Sequence, residues 1–244
     1  MTVRTLVVQL DDSDPPGRLA DWLIDAGALP HVVRPGRDQL QLGDHTAVVC
    51  LGGPQSANDP DLTEVRTFLS RCATAGTPVL AICLGAQLLA VATGGRVEVG
   101  DSGPEAGAGL VAKRDLGWTD PLFADMPLMP DVLQFHSDAI TRLPDSAVLL
   151  AAAARYPNQA FRVGRAAYGV QFHIETTPET VLRWAEANPA VAARAKAGEL
   201  EPERLAELHA DIEECWRPFT ERFVALARGD IAPAEPARPT LPMI

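Results

Sequence analysis

Val79-Leu80-Ala81-Ile82-Cys83-Leu84-Gly85-Ala86-Gln87 passes from a short apolar run straight into a helical pattern that continues to Ala92. A buried strand must therefore turn into a helix with no loop between them. In such a nucleophile elbow the residues two before and two after the nucleophile are small, because the backbone folds back sharply there. Ala81 and Gly85 meet that condition around Cys83. Cys83 then stands at the start of the helix Leu84–Ala92, where free N–H groups and the partial positive charge of the helix favour a thiolate. The plain alternative is a buried structural cysteine, which apolar strand-helix junctions often hold.

Outward from the elbow, short apolar runs alternate with amphipathic stretches through the first hundred residues. They are Leu6–Leu10, Arg18–Ala26, His31–Val33, Ala47–Leu51, Leu62–Ala75 and Val79–Ile82. This rhythm predicts βαβ units and an α/β fold with a doubly wound, mostly parallel, flavodoxin-like sheet. Pro78 before a strand, and Gly27, Gly76 and Gly94 after helical stretches, fit strand entry and C-caps. From Gly95 to Glu175 the runs shorten to Arg96–Val99, Gly109–Lys113, Val132–Phe135, Ala147–Ala153, Ala160–Val163 and Ala167–Phe172. Antiparallel strands added beside the parallel sheet are expected there.

After Thr177, a cap, and Pro178, a first-turn residue, the chain is helical again. Leu205, Leu208, Ile212, Cys215, Phe219, Phe223 and Leu226 form an amphipathic stripe, with a kink or split expected at Pro218. The stripe reads first as packing on its own domain and second as a partner or dimer surface. Prolines at 233, 236, 239 and 242 predict an extended path for the tail. The expected organisation is a main domain over 1–186, a helical extension over 187–229 and a proline-rich tail over 230–244.

A thiolate nucleophile needs a base and an acid to orient it. Two of the five histidines carry an acid two residues on, in His136-Ser137-Asp138 and His173-Ile174-Glu175. Residues two apart on a strand share a face, so either pair could hold imidazole and carboxylate together. His173 ends the regular run Ala167–Phe172 and is assigned as base, with Glu175 as its orienter; His136 follows a less regular run and reads as part of a loop. His31, His45 and His209 read as surface or capped histidines. Acyl transfer also needs oxyanion donors. Gly52-Gly53-Pro54 follows the strand Ala47–Leu51 at a strand C-terminal edge, and the N–H groups of Gly53 and Leu84 would form that hole.

Leu51-Gly52-Gly53-Pro54-Gln55-Ser56, Ala81-Ile82-Cys83-Leu84-Gly85-Ala86-Gln87 and Gly169-Val170-Gln171-Phe172-His173-Ile174-Glu175 resemble, in order, the three signatures of the class I (triad) glutamine amidotransferases. The resemblance spans about Thr5 to Trp184 and is nearest to GMP synthase-type glutaminase domains and their stand-alone relatives. It implies that Gln87 contacts the substrate amino acid and that His136, Ser137 and Asp138 hold its α-amino end, Asp138 suiting an ammonium partner. Two departures stand out. The family often has Gly where Ala81 stands and Pro where Ile174 stands.

The implied activity is hydrolysis of the γ-amide of L-glutamine, or of a γ-glutamyl compound, through a Cys83 thioester. Three readings are open on that basis: a glutaminase feeding ammonia to a separate synthetase subunit, a stand-alone γ-glutamyl hydrolase or peptidase, and a non-catalytic regulatory relative. A homodimer is a further expectation, and no cofactor or metal is expected.

Composition narrows the rest. Over 244 residues, 47% are hydrophobic and 22% charged, as in an ordinary globular chain. That length suits one α/β domain with an appendage. Thirty-two acidic against 21 basic residues give a net charge of −11, a surface that repels nucleic acid and anionic membrane. The first ten residues read as a strand rather than a signal, and no apolar stretch is long enough for a membrane span. Cys50, Cys72, Cys83 and Cys215 form no C-x-x-C pair, which suggests reduced thiols in a cytoplasmic protein.

Overall fold

The computed structural model describes residues 2–235, so Pro236, Pro239 and Pro242 of the expected extended tail lie outside the described residues. Twelve strands and six α-helices succeed one another along the described chain. The first half holds β1 (Val3–Val8), α1 (Gly17–Asp25), β2 (Ala28–Val33), β3 (Ala47–Cys50), α2 (Thr63–Ala75), β4 (Val79–Ile82) and α3 (Leu84–Ala92). Next come β5 (Arg96–Val99), β6 (Glu105–Leu110), β7 (Ala112–Lys113), β8 (Asp131–His136) and β9 (Asp138–Arg142). The chain then forms β10 (Val148–Ala152), β11 (Ala160–Val163), β12 (Ala167–Val170), α4 (Pro178–Ala187), α5 (Pro189–Ala192) and α6 (Pro202–Arg228).

Eight strands make one sheet in the order β2-β1-β3-β4-β12-β11-β10-β7. The first five are mutually parallel, and β11, β10 and β7 continue the sheet antiparallel. The parallel half has the doubly wound order expected from the alternation. Small side ladders pair β5 with β9 and β6 with β8.

Alternate residues of the parallel strands face opposite ways, and each face has its own core. Val7, Val49, Leu80, Ile82, Tyr168 and Val170 pack with residues of α1 and α6. Leu6, Val8, Val48, Cys50 and Ala81 pack with α2 and α3 on the other face. Helix α6 enters the first core through Trp216, Phe219 and Phe223, all fully buried, and Trp216 donates its indole N–H to Asp131 O at 2.9 Å.

Several local expectations change. Of the kink or split expected at Pro218, the split is absent: the helix runs through it as one 27-residue element, the lost N–H bond and the clash of the ring with the preceding turn being offset by the aromatic packing on either side. The run Gly109–Lys113 divides between β6 and β7. The segment expected as a loop at His136-Ser137-Asp138 is a joint where β8 ends and β9 begins, with Ser137 alone between them. Thr177 caps α4 as expected, its side chain accepting from Thr180 N.

Candidate active site

The parallel strands end on one side of the sheet, and the site is built from the turns and loops beyond their C-terminal ends. Cys83 is, among the described residues, the one non-glycine with positive φ, at φ 49° and ψ −109°. That strained conformation throws its side chain outward at the elbow. The elbow closes tightly against β3: a Cβ on Gly85 would stand 2.3 Å from Cys50 O, so only glycine fits. Cys83 N donates to Val170 O at 2.8 Å, which ties the elbow to β12.

His173 and Glu175 lie just beyond β12, in a segment held by an antiparallel bridge. His173 N donates to Leu133 O at 2.8 Å. The imidazole Nδ1 donates to Glu175 Oε1 at 2.6 Å, and Glu175 Oε2 accepts from Ile174 N at 2.9 Å. Both side chains are almost wholly buried. Burial works against a charged imidazole, but the Glu175 carboxylate and then Cys83 outweigh it, so the His173 pKa is raised well above its ordinary value. With Nδ1 committed to Glu175, Nε2 is the nitrogen left for Cys83 and a substrate.

The ring of Trp184 packs on the imidazole with centroids 4.7 Å apart, and its Nε1 donates to Ser13 O at 2.9 Å. Helix α6 reaches the same segment from behind. Thr176 Oγ1 donates to His209 Nε2 at 3.0 Å, while His209 Nδ1 donates to Leu205 O at 2.6 Å. Of the two alternatives expected, surface or capped, His209 is the capped one: both ring nitrogens are bonded, it is buried behind the segment carrying Glu175, and burial lowers its pKa.

Cys83, His173, Gly53, Gln87, His136, Ser137 and Asp138 all line one cleft of about 250 Å³. The N–H groups of Gly53 and Leu84 have no hydrogen-bond acceptor among the described residues. Gln87 is buried, with Nε2 donating to Asp138 O at 3.0 Å and to Gln171 Oε1 at 3.3 Å. His136 Nδ1 donates to Asp138 O at 2.9 Å and its Nε2 faces Glu105 Oε2 at 3.1 Å. The Asp138 carboxylate accepts from Ser56 Oγ at 3.0 Å, at the rim.

Two residues the sequence did not single out stand near Cys83 and His173. Gln171 is buried with Nε2 3.9 Å from Cys83 Sγ. Asp14, from the loop after β1, is buried in the cleft wall, with its pKa raised chiefly by that burial. No local pattern marks Asp14, but its place just past a parallel strand's C-terminal end was the available signal. Among the described residues no group of three or more metal-ligating side chains converges.

An elbow cysteine, a carboxylate-bound imidazole and two N–H groups without acceptors among the described residues thus meet at the C-terminal edge of a doubly wound sheet, an arrangement suited to acyl transfer. The profile of the family described as glutamine amidotransferase class-I matches residues 18–183, and the chain belongs to that family. Among its relatives, the glutamine-hydrolyzing GMP synthase of Christiangramia forsetii is 34% identical over 145 residues, which is 57% of this chain and 26% of that protein. The corresponding enzyme of Thermosipho melanesiensis is 34% identical over 133 residues, 54% of this chain and 24% of that protein. The chain spans about a quarter of the length of these curated relatives. A crystal structure of a glutamine amidotransferase from Thermotoga maritima superimposes with a TM-score of 0.79 at 28% identity, covering 92% of this chain and 99% of that one.

Proposed function

We propose that this chain hydrolyses the γ-amide of L-glutamine through a thioester on Cys83. The observation that carries the reading is the buried line from Glu175 through His173 to the elbow cysteine. In the first half-reaction the Cys83 thiolate adds to the γ-carbonyl carbon, and the oxyanion rests on the Gly53 and Leu84 N–H groups. His173, as imidazolium, gives its Nε2 proton to the amide nitrogen; the C–N bond breaks and ammonia leaves. In the second half-reaction neutral His173 takes a proton from water, which adds to the thioester carbon, and glutamate and the thiolate are released. Glu175 keeps the ring oriented throughout. Asp138 at the rim offers a carboxylate to the substrate's ammonium, with His136 and Gln87 fixing the position of that segment.

The ammonia is proposed to serve a synthetase, since the curated relatives are glutamine-hydrolyzing GMP synthases and this chain matches only a quarter of each. No helix among the described residues is long and apolar enough to cross a membrane.

The test is glutamine turnover together with labelling by a glutamine-like chloroketone. Glutamate release and one equivalent of label on the Cys83 peptide are expected. Burial pushes the Cys50 thiol up to about 12 and the Cys72 thiol up to about 11, and it also raises Cys215, so their peptides should stay unlabelled. Label spread over all four cysteines, with no glutamate formed, would refute the reading.

A further inference from the structure

The triad leaves one buried carboxylate at the reacting centre unused. The position that a Cβ would take on Gly52 is 2.8 Å from Asp14 Oδ1, 3.1 Å from His173 Cε1 and 3.7 Å from Cys83 Cβ. Three groups from separate segments thus converge on the backbone at Gly52, where any side chain would press on the Asp14 carboxylate and the imidazole. Asp14 Oδ2 accepts from Ser13 Oγ at 2.7 Å, whereas Oδ1 has no donor among the described residues. The backbone of that loop is fixed from two directions, by Asp14 N donating to Asp11 O at 3.2 Å and by the Trp184 indole donating to Ser13 O. Because Trp184 also packs on the His173 ring, one side chain sets the spacing between the Asp14 loop and the imidazole.

Asp14 lines the cleft, so a carboxylate oxygen there that no group among the described residues bonds is open to a donor on a ligand. The imidazole gives its Nδ1 proton to Glu175 on one side of Cε1, and Nε2 lies on the other side, facing the amide nitrogen. As that nitrogen takes the His173 proton, its own N–H bonds become more acidic and need an acceptor, which neither the imidazolium nor the oxyanion hole can offer. We propose that Asp14 Oδ1 accepts a hydrogen bond from the departing amide nitrogen, making Asp14 the residue that reads an amide rather than an ester at the γ-carbonyl. The bond strengthens as the amine gains charge, so it favours the transition state over bound substrate.

This assignment rests on the glutaminase reading of the same site, and the experiment separates the two. Wild type, Asp14→Ala and Asp14→Asn are assayed for glutamate release from L-glutamine and from the γ-methyl ester of L-glutamate, whose leaving group carries no N–H. With Asp14→Ala, kcat/KM on glutamine should fall about 10–100-fold, the range of a hydrogen bond to a charged group, and the ester reaction should stay within about threefold. Asp14→Asn keeps an uncharged acceptor and should fall between wild type and Asp14→Ala on glutamine. The amide-to-ester ratio is taken within each variant, so a smaller folded fraction cancels from it. Equal losses on both substrates, or no loss on either, would overturn the role of Asp14 while leaving the glutaminase intact. No glutamate from either substrate with wild type would remove the glutaminase reading, and Asp14's part with it.

Discussion

His173-Ile174-Glu175 and His136-Ser137-Asp138 share one spacing, both set their histidine on the same cleft, and the fold uses them in opposite ways. In the first, the imidazole Nδ1 meets the carboxylate itself at 2.6 Å. In the second, Nδ1 meets only the backbone carbonyl of Asp138, Nε2 is occupied by Glu105, and the Asp138 carboxylate turns to Ser56. The cause is backbone. His173 lies in an irregular stretch beyond β12 that crosses to Leu133, whereas residues 136 and 138 belong to two different strands joined at Ser137. Spacing brings two side chains near each other, but what each nitrogen already holds decides which can move a proton. His136 has both nitrogens engaged within the protein; His173 keeps Nε2 for the proposed reaction.

The strongest way to break this comparison is to remove each imidazole in turn. His173→Gln removes the group proposed to protonate the amine and activate water, so kcat on glutamine should fall by about 10²–10⁴-fold. His136→Gln should raise KM and leave kcat within a few-fold, because it only holds the substrate segment. Steady-state kinetics on both variants checks this. A large kcat loss in His136→Gln with a small one in His173→Gln would reverse the assignment.

The acids sharpen it through pH. The His173 pKa lies above its ordinary value, against the effect of its burial, because Glu175 and Cys83 face the ring. The imidazolium proposed to protonate the departing amine is therefore present at low pH and is lost as pH rises through that raised pKa. Glu175→Gln removes the larger favourable charge, so the His173 pKa should fall and the alkaline limb of the pH–rate profile should move to lower pH. Asp138→Asn should leave that limb in place and raise KM. An alkaline limb unmoved in Glu175→Gln would mean that it reports some other group.

What could be read from sequence tracked the range of the forces involved. The elbow was legible because its steric demand acts between Ala81, Cys83 and Gly85, neighbours in the chain. The strand-helix rhythm was legible because burial on two faces writes its period locally. Asp14, Gln171 and Trp184 were not, since their roles come from loops after β1 and β12 and a helix meeting at one edge of the sheet. The partner of His209 was hidden for a similar reason. Nothing near it in the chain indicates that Thr176, 33 residues away, turns its hydroxyl toward the ring. The two histidine-acid pairs fall between these cases, because their spacing was visible and the partner of each nitrogen was not.

The smallest effect tests the residue between His173 and Glu175. Ile174 stands where the family often has proline, and its N–H is, among the described residues, the one donor to Glu175 Oε2. Ile174→Pro deletes that bond while leaving Oε1 on the imidazole. Proline would also restrict His173 to extended backbone, which its bridge to Leu133 already requires, so the exchange should fold. A lost bond to a buried charge sets an upper bound of about 1.5–3 kcal/mol. Some of it is recovered when the carboxylate shifts its charge toward Nδ1, so kcat should fall only about two- to tenfold. The pH–rate profile should keep its alkaline limb, because the charge facing His173 is retained. A loss as large as that of Glu175→Gln would show that the Ile174 N–H, and not the charge alone, holds the acid in its working position; an unchanged kcat would show that the Oε1 contact suffices.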